Sequence, residues 1–320
     1  MNESKNINNA SLDLYKLNFG VCMLCKHQGM DFVNRLRDDK TRCAAKCGHC
    51  GHVQITPLPT PEEDEYYYQQ DRMMKDTFKE VETLQTEEQL MYRMELFVRE
   101  QADTFEKYLP SDYDLKILEI GSGFGWLPQF MQEKGWKIDG VEINDEKRIL
   151  CKKRCGIELQ SWNFLYDVPE ALEKQGFYDV LCIMQTLEHI TDPKTFLNRA
   201  GMLLKPGGII YIDIPNFNDW YREHQKEYND WSFMRSHVSY FTPEILTKTL
   251  EETGFKDINV YGHQPHSIEN ALHWWRNKGP NFLWHQFYLP EPLEWINEIY
   301  KEKIEKELKS SFMVAIGYKV

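Results

Sequence analysis

Four cysteines near the start of the chain have the spacing of a metal site. They form two C-x-x-C pairs, Cys22 with Cys25 and Cys47 with Cys50, separated by residues 26–46. Two such pairs can complete a tetrahedron of thiolates around one Zn²⁺, and four thiolates leave no open position, so the zinc would be structural. The alternatives are free thiols, or a redox pair, which would need a surrounding βαβ pattern that is missing here. Four nearby side chains could replace a ligand: Cys43, His27, His49 and His52.

A glycine-rich turn in the middle of the chain is suited to binding a small molecule. The sequence reads Leu118-Glu-Ile-Gly121-Ser-Gly-Phe-Gly125, followed by Trp126. Glycines in such a turn let the backbone pass within contact distance of a ligand. The spacing departs from the dinucleotide fingerprint G-x-G-x-x-G, because Trp126 stands where the last glycine would be. The chain also lacks G-x-x-x-x-G-K-[ST], which excludes a P-loop.

Acidic and histidine side chains follow the later strand patterns. Glu142 comes about 20 residues after the glycines, where a carboxylate can accept hydrogen bonds from both hydroxyls of a ribose. Glu188 and His189 follow the next buried strand at its carboxyl end, where open α/β sheets bind ligands. Neutral His189 can accept a proton near physiological pH, and Glu188 could orient the ring or stabilise its charged form. His237 is a rival base, and the alternative role for His189 is to cap the turn at 191–193.

Strand and helix patterns alternate from residue 115 onward, which predicts an α/β, Rossmann-like sheet with helices on both faces. The predicted strands are Leu115–Ile120, Lys137–Glu142, Ile157–Leu159, Val180–Met184, Gly208–Ile214, Ile258–Tyr261 and Phe312–Lys319. The predicted helices are 126–134, 145–154, 194–204, 243–253 and 293–309. We expect Phe312–Lys319 to insert beside Ile258–Tyr261 as one antiparallel strand in an otherwise parallel sheet.

Three regions are predicted along the chain. A zinc-binding, ribbon-like module at 1–60 ends in a proline-rich boundary, and a mainly helical connector at 61–110 carries apolar residues at helical spacing. The α/β core is predicted at 111–320. Six of the nine tryptophans lie between residues 220 and 295. We therefore expect an aromatic-rich insertion at about 263–309, over the active-site face of the core.

The composition excludes several classes of protein. The 320 residues are 42% hydrophobic with a net charge of −12, which is typical of a globular protein with a sizeable core. The acidic balance argues against sequence-independent nucleic-acid binding, which needs a basic surface. No apolar run approaches the ~18 residues that span a membrane. Residues 1–12 lack the pattern of a secretory signal, so we expect a cytoplasmic protein without a membrane partner.

Four signatures, taken in order, resemble the class I S-adenosylmethionine-dependent methyltransferases. They are the glycine turn, Glu142, the Leu-Glu-His segment at 187–189, and Lys205-Pro-Gly-Gly208. The resemblance covers about residues 115–262. It implies S-adenosylmethionine as cofactor, with glycines and an acid beside its methionine part, Glu142 at the ribose, two residues near the adenine and Gln185 near the sulfonium. The cofactor-binding residues so implied are Glu119, Gly121, Gly123, Gly125, Glu142, Asn163, Phe164 and Gln185.

A narrower resemblance is to bacterial sugar methyltransferases, some of which methylate carbon in nucleotide-activated keto-sugars. These combine paired C-x-x-C knuckles, a tyrosine-bearing connector and a core with a Glu-His pair in its active site, and the segment from His237 is similar to a recurrent feature of the group. The resemblance implies a sugar-like small-molecule acceptor, methylated at O or C. The sugar C-methyltransferases carry a long extra C-terminal domain, whereas this sequence stops at Val320, so N-methylation is also open. Aromatic rings pack on sugar rings and arginines pair with diphosphates, so the candidate substrate-binding residues are Tyr66, Tyr68, Arg222, Arg235 and Trp274.

Two other functions compete with this interpretation. A zinc-ribbon RNA methyltransferase is disfavoured by the net charge and by the missing Asn/Asp-Pro-Pro-aromatic motif for base methylation. A non-catalytic scaffold with a methyltransferase fold is disfavoured by the intact glycine turn and Glu142. Methyl transfer from a sulfonium is an in-line displacement, and an incoming hydroxyl must lose a proton, so a general base such as His189 or His237 is useful.

Overall fold

The computed structural model describes residues 20–70, 87–110, 114–166, 173–280 and 289–320. The strands are β1 (Met30–Arg35), β2 (Cys43–Cys47), β3 (Val53–Thr56), β4 (Lys116–Ile120), β5 (Lys137–Val141), β6 (Tyr178–Met184), β7 (Leu204–Pro215), β8 (Ser239–Tyr240), β9 (Phe255–His263) and β10 (Phe312–Lys319). The α-helices are α1 (Pro61–Gln69), α2 (Glu87–Lys107), α3 (Trp126–Glu133), α4 (Asp145–Cys155), α5 (Pro193–Met202), α6 (Trp220–His224), α7 (Lys226–Ser232), α8 (Pro243–Glu251), α9 (Ile268–Asn277) and α10 (Glu294–Lys306). Short 3-10 helices occur at Leu187–His189 and Glu291–Leu293.

The larger sheet has six strands in the order β5-β4-β6-β7-β10-β9. Strands β5, β4, β6 and β7 run parallel to their neighbours. Strand β10 lies antiparallel between β7 and β9, with Val314 opposite both Asp213 and Tyr261. The predicted Rossmann-like sheet is therefore confirmed, including its one antiparallel strand beside the segment Ile258–Tyr261.

One predicted strand is wrong. The segment Ile157–Leu159 makes no ladder, and the chain there forms a single bridge between Gln160 and Val141. Gly156 ends helix α4 in the left-handed conformation, so only a few residues remain before the turn at 163–166. Within them, the N–H of Gln160 donates to Gly140 O and its carbonyl accepts from Glu142 N, which makes one bridge and no ladder.

Both faces of the sheet are covered by helices. Alternate residues of a strand point to opposite sides, so neighbouring residues of β6 join different cores. On one face, Leu181 and Ile183 of β6 join a core that includes side chains of α5 and α8. On the other face, Val180 and Cys182 join a core that includes Phe105 of α2 and side chains of α3. Strand β6 is almost entirely buried, as its continuous apolar run predicts. The carboxyl ends of β4 to β7 thus meet at one edge of a rigid sheet.

The smaller sheet joins distant parts of the chain. Strands β1, β2 and β3 form an antiparallel meander, and β8 pairs with β3 as a fourth strand. Val53 lies opposite Tyr240 and Gln54 opposite Ser239. The predicted N-terminal module therefore shares a sheet with a segment of the predicted core. Residues 1–19, 71–86 and 281–288, which belong to the predicted module, connector and insertion, lie outside the described residues. In the described part of the chain, every helix is too short or too polar to cross a bilayer.

Candidate active site

The turn between β4 and α3 needs its glycines for two different reasons. Gly121, Gly123 and Gly125 have φ angles of 88°, 53° and 74°, a region that strains other residues. A Cβ on Gly121 would lie 2.0 Å from Thr186 Oγ1, and a Cβ on Gly125 would lie 2.2 Å from Cys151 Sγ. A Cβ on Gly123 would meet no atom of the described residues within 4 Å. Neighbouring side chains therefore occupy the positions that a Cβ on Gly121 or Gly125 would take, whereas the backbone of Gly123 borders open space.

The carboxylate of Glu142 is fixed beside this turn. The backbone N–H of Gly123 donates to Oε2 at 2.8 Å, and the N–H of Asn144 donates to Oε1 at 2.8 Å. Asn144 also caps α4 and donates its side-chain amide to the carbonyl of Tyr68 in α1 at 2.6 Å. Each carboxylate oxygen keeps a lone pair, so Glu142 can still accept hydrogen bonds from a diol beside it.

Two cavities open at the carboxyl ends of the parallel strands and share Gly121 in their linings. The first holds about 110 Å³ and includes predicted cofactor and catalytic residues: Glu142, Asn163, Phe164 and His189. The second holds about 310 Å³, is walled on one side by α2, and also includes predicted cofactor residues: Glu119, Gly123 and Gln185. Gly125 lines neither cavity. Seven of the eight predicted cofactor residues therefore line one or other of these two cavities.

Glu119, near the end of β4, is a buried acid next to the glycine turn. It is 5% exposed, and burial raises the pKa of its carboxyl to about 8. Its Oε2 atom has no hydrogen-bond partner within the described ranges. A carboxyl with this pKa is mostly protonated at neutral pH and can donate a hydrogen bond into the second cavity.

Gln185 is held in place by a buried network that sequence reasoning missed. Its backbone is left-handed, with φ of 46°, and its N–H donates to the Asp213 carbonyl at 2.8 Å. Its side-chain amide donates to Asp213 Oδ1 at 3.3 Å, while Oδ2 contacts His263 Nδ1 at 3.0 Å. Burial alone would lower the pKa of His263, but the hydrogen bond and charge of Asp213 raise it. The available sequence signal was a single carboxylate inside the apolar run Ile209–Ile214.

His189 lines the first cavity, and one of its ring nitrogens is already hydrogen-bonded. Its Nδ1 lies 2.6 Å from the carbonyl oxygen of Ser236, and a carbonyl can only accept. Nδ1 therefore carries the proton and Nε2 keeps a free lone pair. Burial lowers the pKa of His189 to about 4, so the ring is neutral at physiological pH. A neutral ring with an open Nε2 can accept a proton.

The other two predicted catalytic residues lie beside this ring. The ring of His237 is centred 5.1 Å from that of His189, and burial lowers the pKa of His237 well below its usual value. Oε1 of Glu188 lies 3.8 Å from His189 Nε2, which is too long for a hydrogen bond. Burial raises the pKa of Glu188 to about 8. The contact that orients the His189 ring is thus with Ser236. A carboxylate oxygen of Glu188 and one ring nitrogen each of His189 and His237 lie within 4.8 Å of one another.

Of the predicted substrate-binding residues, Tyr68 reaches the first cavity. Its hydroxyl is buried without a hydrogen-bond partner in the described part of the chain. Tyr66, on the same helix, is 64% exposed and lines neither cavity. Arg235 is buried and donates to Asp64 at 3.0 Å, and Asp64 itself lines the first cavity. Asp64, an acid in an acidic stretch, was not singled out from the sequence.

Arg222 and Trp274 lie away from both cavities. The guanidinium of Arg222 sits over the rings of Phe217 and Phe233, at 4.5 and 4.4 Å from their centroids. Trp274 is 3% exposed and packs against the ring of Tyr228 at 5.1 Å. These contacts give both side chains a place in the aromatic packing of the C-terminal half. The structure does not bring them to the sheet edge.

The four N-terminal cysteines converge as their spacing predicts. Cys22 Sγ lies 3.6 Å from Cys50 Sγ, Cys25 Sγ lies 3.6 Å from Cys47 Sγ, and all four lie within 4.8 Å of one another. A regular tetrahedron with Zn–S bonds of about 2.3 Å has S–S edges of about 3.8 Å. Four converging thiols thus fit a zinc ion.

The alternative ligands have other positions or contacts. Cys43 is buried in β2, where burial raises the pKa of its thiol to about 11. His52 bonds Ser239, and the rings of His27 and His49 face each other at 5.2 Å on the surface. Of the cysteine and histidine side chains described, the four paired cysteines are the set that converges at the N-terminal module.

Comparisons with known proteins identify the family of the chain. Residues 89–260, more than half of the chain, match a family model described as a methyltransferase domain. A ubiquinone biosynthesis O-methyltransferase of Colwellia psychrerythraea is 29% identical over 107 residues, covering 32% of this chain and 43% of that protein. Its counterpart from Coxiella burnetii is 23% identical over 187 residues, covering 55% of this chain and 80% of that protein. The chain thus spans less than half of the first relative's length.

A solved structure shares the fold. A chain in the complex between the Haloferax volcanii Trm112 methyltransferase activator and the putative methyltransferase aligns with a TM-score of 0.50 at 12% identity, covering 82% of this chain and 99% of that chain. A SAM-dependent methyltransferase from Archaeoglobus fulgidus aligns with a TM-score of 0.49 at 19% identity, covering 70% and 94%. At these identities the likeness concerns the fold alone.

Proposed function

The chain belongs to the methyltransferase-domain family, and we propose that it transfers a methyl group from S-adenosylmethionine to a small, polyhydroxylated molecule. The acceptor class we favour is a sugar, in nucleotide-activated form or as a related precursor, methylated at oxygen or carbon. The named relatives are O-methyltransferases of a small molecule, which supports a small acceptor and methylation at oxygen. The observation that carries the proposal is the presence of Glu142 and His189 in the lining of one cavity.

The two cavities would divide the cofactor between them. Glu142, with its lone pairs free beside Gly123, would accept from the ribose hydroxyls, and Asn163 and Phe164 would flank the adenine. The second cavity would hold the methionine part beside Gly123, where protonated Glu119 can donate a hydrogen bond. Gln185 would lie near the sulfonium, in an orientation fixed by Asp213. Bound S-adenosylmethionine supplies an activated methyl group.

His189 would act as the general base. Its Nε2 would accept the proton that the acceptor hydroxyl, or the carbon beside a ketone, must lose. The positive charge that then forms on the ring would favour ionisation of Glu188, 3.8 Å away, and the resulting carboxylate would stabilise the charged ring. His237 is the rival base, since its ring lies next to that of His189 and burial lowers its pKa as well.

The remaining polar groups of the first cavity suit hydroxyl groups of an acceptor. The buried hydroxyl of Tyr68 has no hydrogen-bond partner among the described residues, and Asp64 offers a carboxylate that accepts from Arg235. A sugar can satisfy both, since each of its hydroxyls donates and accepts. The four-cysteine site is proposed to hold one structural zinc ion, with no reaction step at the metal.

The test is methyl transfer from isotopically labelled S-adenosylmethionine to a panel of acceptors. The panel holds nucleotide sugars, free sugars, catechols and transfer RNA. We expect a labelled small-molecule product, with the sugars strongest. A labelled RNA with unlabelled small molecules would overturn the proposed acceptor, and no transfer to any member would favour a scaffold.

The base is tested with matched variants. His189→Ala should lower turnover by about 10²–10⁴ while the affinity for S-adenosylhomocysteine stays within threefold. His224→Ala, a change to an exposed histidine on α6, is the control and should keep full turnover. Near-normal turnover in His189→Ala with an inactive His237→Ala would transfer the role to His237.

A further inference from the structure

The N-terminal module, described from residue 20 to residue 60, is hydrogen-bonded to the chain segment that contacts His189. Its last strand, β3, accepts β8 as a partner, and Ile55 N donates to the carbonyl of Val238 at 3.1 Å. Val238 directly follows His237, and Ser236 directly precedes it. The backbone of residues 236–238 carries both the Ser236 carbonyl that contacts His189 and the His237 ring, and it is hydrogen-bonded to the module.

Strand β3 is in turn tied to both cysteine pairs. Gln54 accepts from the N–H of Met23 at 2.7 Å and donates to the carbonyl of Val21 at 3.2 Å, which fixes the first pair. His52 lies two residues after Cys50 of the second pair, and its carbonyl accepts from Cys47 N at 2.8 Å. The ring of His52 bonds the hydroxyl of Ser239 at 3.1 Å, and both side chains are buried.

The other side of the segment is held by the hairpin between β1 and β2. The carboxylate of Asp38 accepts from Arg235 N at 2.8 Å, next to Ser236. Arg37 N donates to the carbonyl of Phe233 at 3.0 Å, and its guanidinium lies 4.1 Å from the ring centre of Trp231. Residues 233–240 are thus clamped at both ends by the module.

We propose that this clamp makes the module a positioning device for the methyl-transfer reaction. By fixing residues 233–240, the module places the Ser236 carbonyl 2.6 Å from His189 Nδ1 and sets the ring with Nε2 free. The residues that do this without touching substrate are Asp38, on the hairpin, and Ser239, bonded to His52. The inference rests on the proposed role of His189, but it concerns the ring's tautomer and orientation, which can be measured without any acceptor.

The test compares the tautomer of His189 in three proteins. Full-length chain labelled with ¹⁵N-histidine is saturated with S-adenosylhomocysteine, and the His189 ring signals are assigned by their loss in His189→Gln. In the wild type we expect a protonated Nδ1 and an unprotonated Nε2. In the double variant Asp38→Ala/Ser239→Ala we expect exchange between tautomers, with a rate of methyl transfer lowered about 10- to 100-fold, as small misplacements of reacting groups cause.

The control is Thr41→Ala, a change in the same hairpin that leaves the segment's contacts intact and should preserve both readouts. Affinity for S-adenosylhomocysteine should stay within threefold in all variants. Stripping zinc from the wild type with a chelator should reproduce the double variant, and added Zn²⁺ should reverse it. An unchanged His189 signature in the double variant would overturn the inference, whether or not the stripped protein stays folded. An active His189→Ala would refute only the proposed base.

Discussion

The imidazole of His189 donates its Nδ1 proton to the carbonyl of Ser236 across 2.6 Å. The two residues are 47 positions apart in sequence. His189 follows β6 of the large sheet, whereas Ser236 belongs to a segment bound to the small sheet. The tautomer of the proposed base therefore depends on how the two sheets are joined.

The rate of methyl transfer should be insensitive to pH between about 5 and 7. Burial lowers the pKa of His189 to about 4, so Nε2 stays unprotonated over this range. A histidine with the ordinary pKa of about 6.5 would lose half of its base form near that pH. The check is a profile of kcat/KM against pH. An acid limb centred between pH 6 and 7 would show that the base is exposed or is another group.

Glu188→Gln should stabilise the fold at high pH more than at low pH. The folded pKa of Glu188 is about 8, above the unfolded value of about 4.3, so the folded state binds the extra proton. The contribution of Glu188 to the free energy of unfolding is largest below about pH 4.3 and is lost as the pH rises toward 8. We expect the Tm advantage of the variant to grow by about 3 °C or more between pH 5 and 8. Glu146→Gln, at an exposed acid, is the control. A Tm difference between Glu188→Gln and the wild type that stays constant from pH 5 to 8 would contradict the raised pKa of Glu188.

Protein purified without added metal should contain one zinc per chain. Four thiols with Sγ separations of 3.6 Å across each of two pairs fit a tetrahedral site. Elemental analysis measures the ratio, which should fall in Cys25→Ser and stay at one in Cys43→Ser, the matched change outside the cluster. A ratio near zero, with these thiols freely titratable in the folded protein, would rule the site out.

Gly123→Trp should abolish binding of S-adenosylhomocysteine without unfolding the protein. The new side chain would fill the second cavity, since no atom in the described part of the chain lies within 4 Å of a Cβ at this position. Gly207→Trp is the matched control, because Gly207 also has positive φ and open space but is exposed and lines neither cavity. Calorimetry and circular dichroism give the two readouts. Wild-type affinity in Gly123→Trp would place the cofactor elsewhere.

Most of the large sheet was predictable, because its signals are local. Strands β4, β6 and β10 are apolar runs between helical patterns, and the inserted β10 follows from an apolar segment that needs a partner. The segment Ile157–Leu159 carried the same signal and failed. Its pairing is limited by the turns on either side, which short apolar runs do not reveal.

The site was predictable only where its residues follow neighbouring strands of the sheet. The glycine turn and Glu142 lie together, as expected, because both follow adjacent parallel strands. The partners of the site residues come from far along the chain, and a single sequence carries no record of them. Examples are Asp213 at Gln185 and Asp64 at Arg235. Trp274 shows the converse, since an aromatic-rich segment signals core packing as readily as a binding surface.

Calorimetric titration of S-adenosylhomocysteine into wild-type protein and Glu142→Ala tests the central claim most directly. Glu142 lies in the first cavity and is fixed by the N–H groups of Gly123 and Asn144. Loss of its hydrogen bonds to the ribose should weaken binding about 10- to 100-fold, while Glu146→Ala binds like the wild type. Equal affinities of wild type and Glu142→Ala would contradict the cofactor site described here.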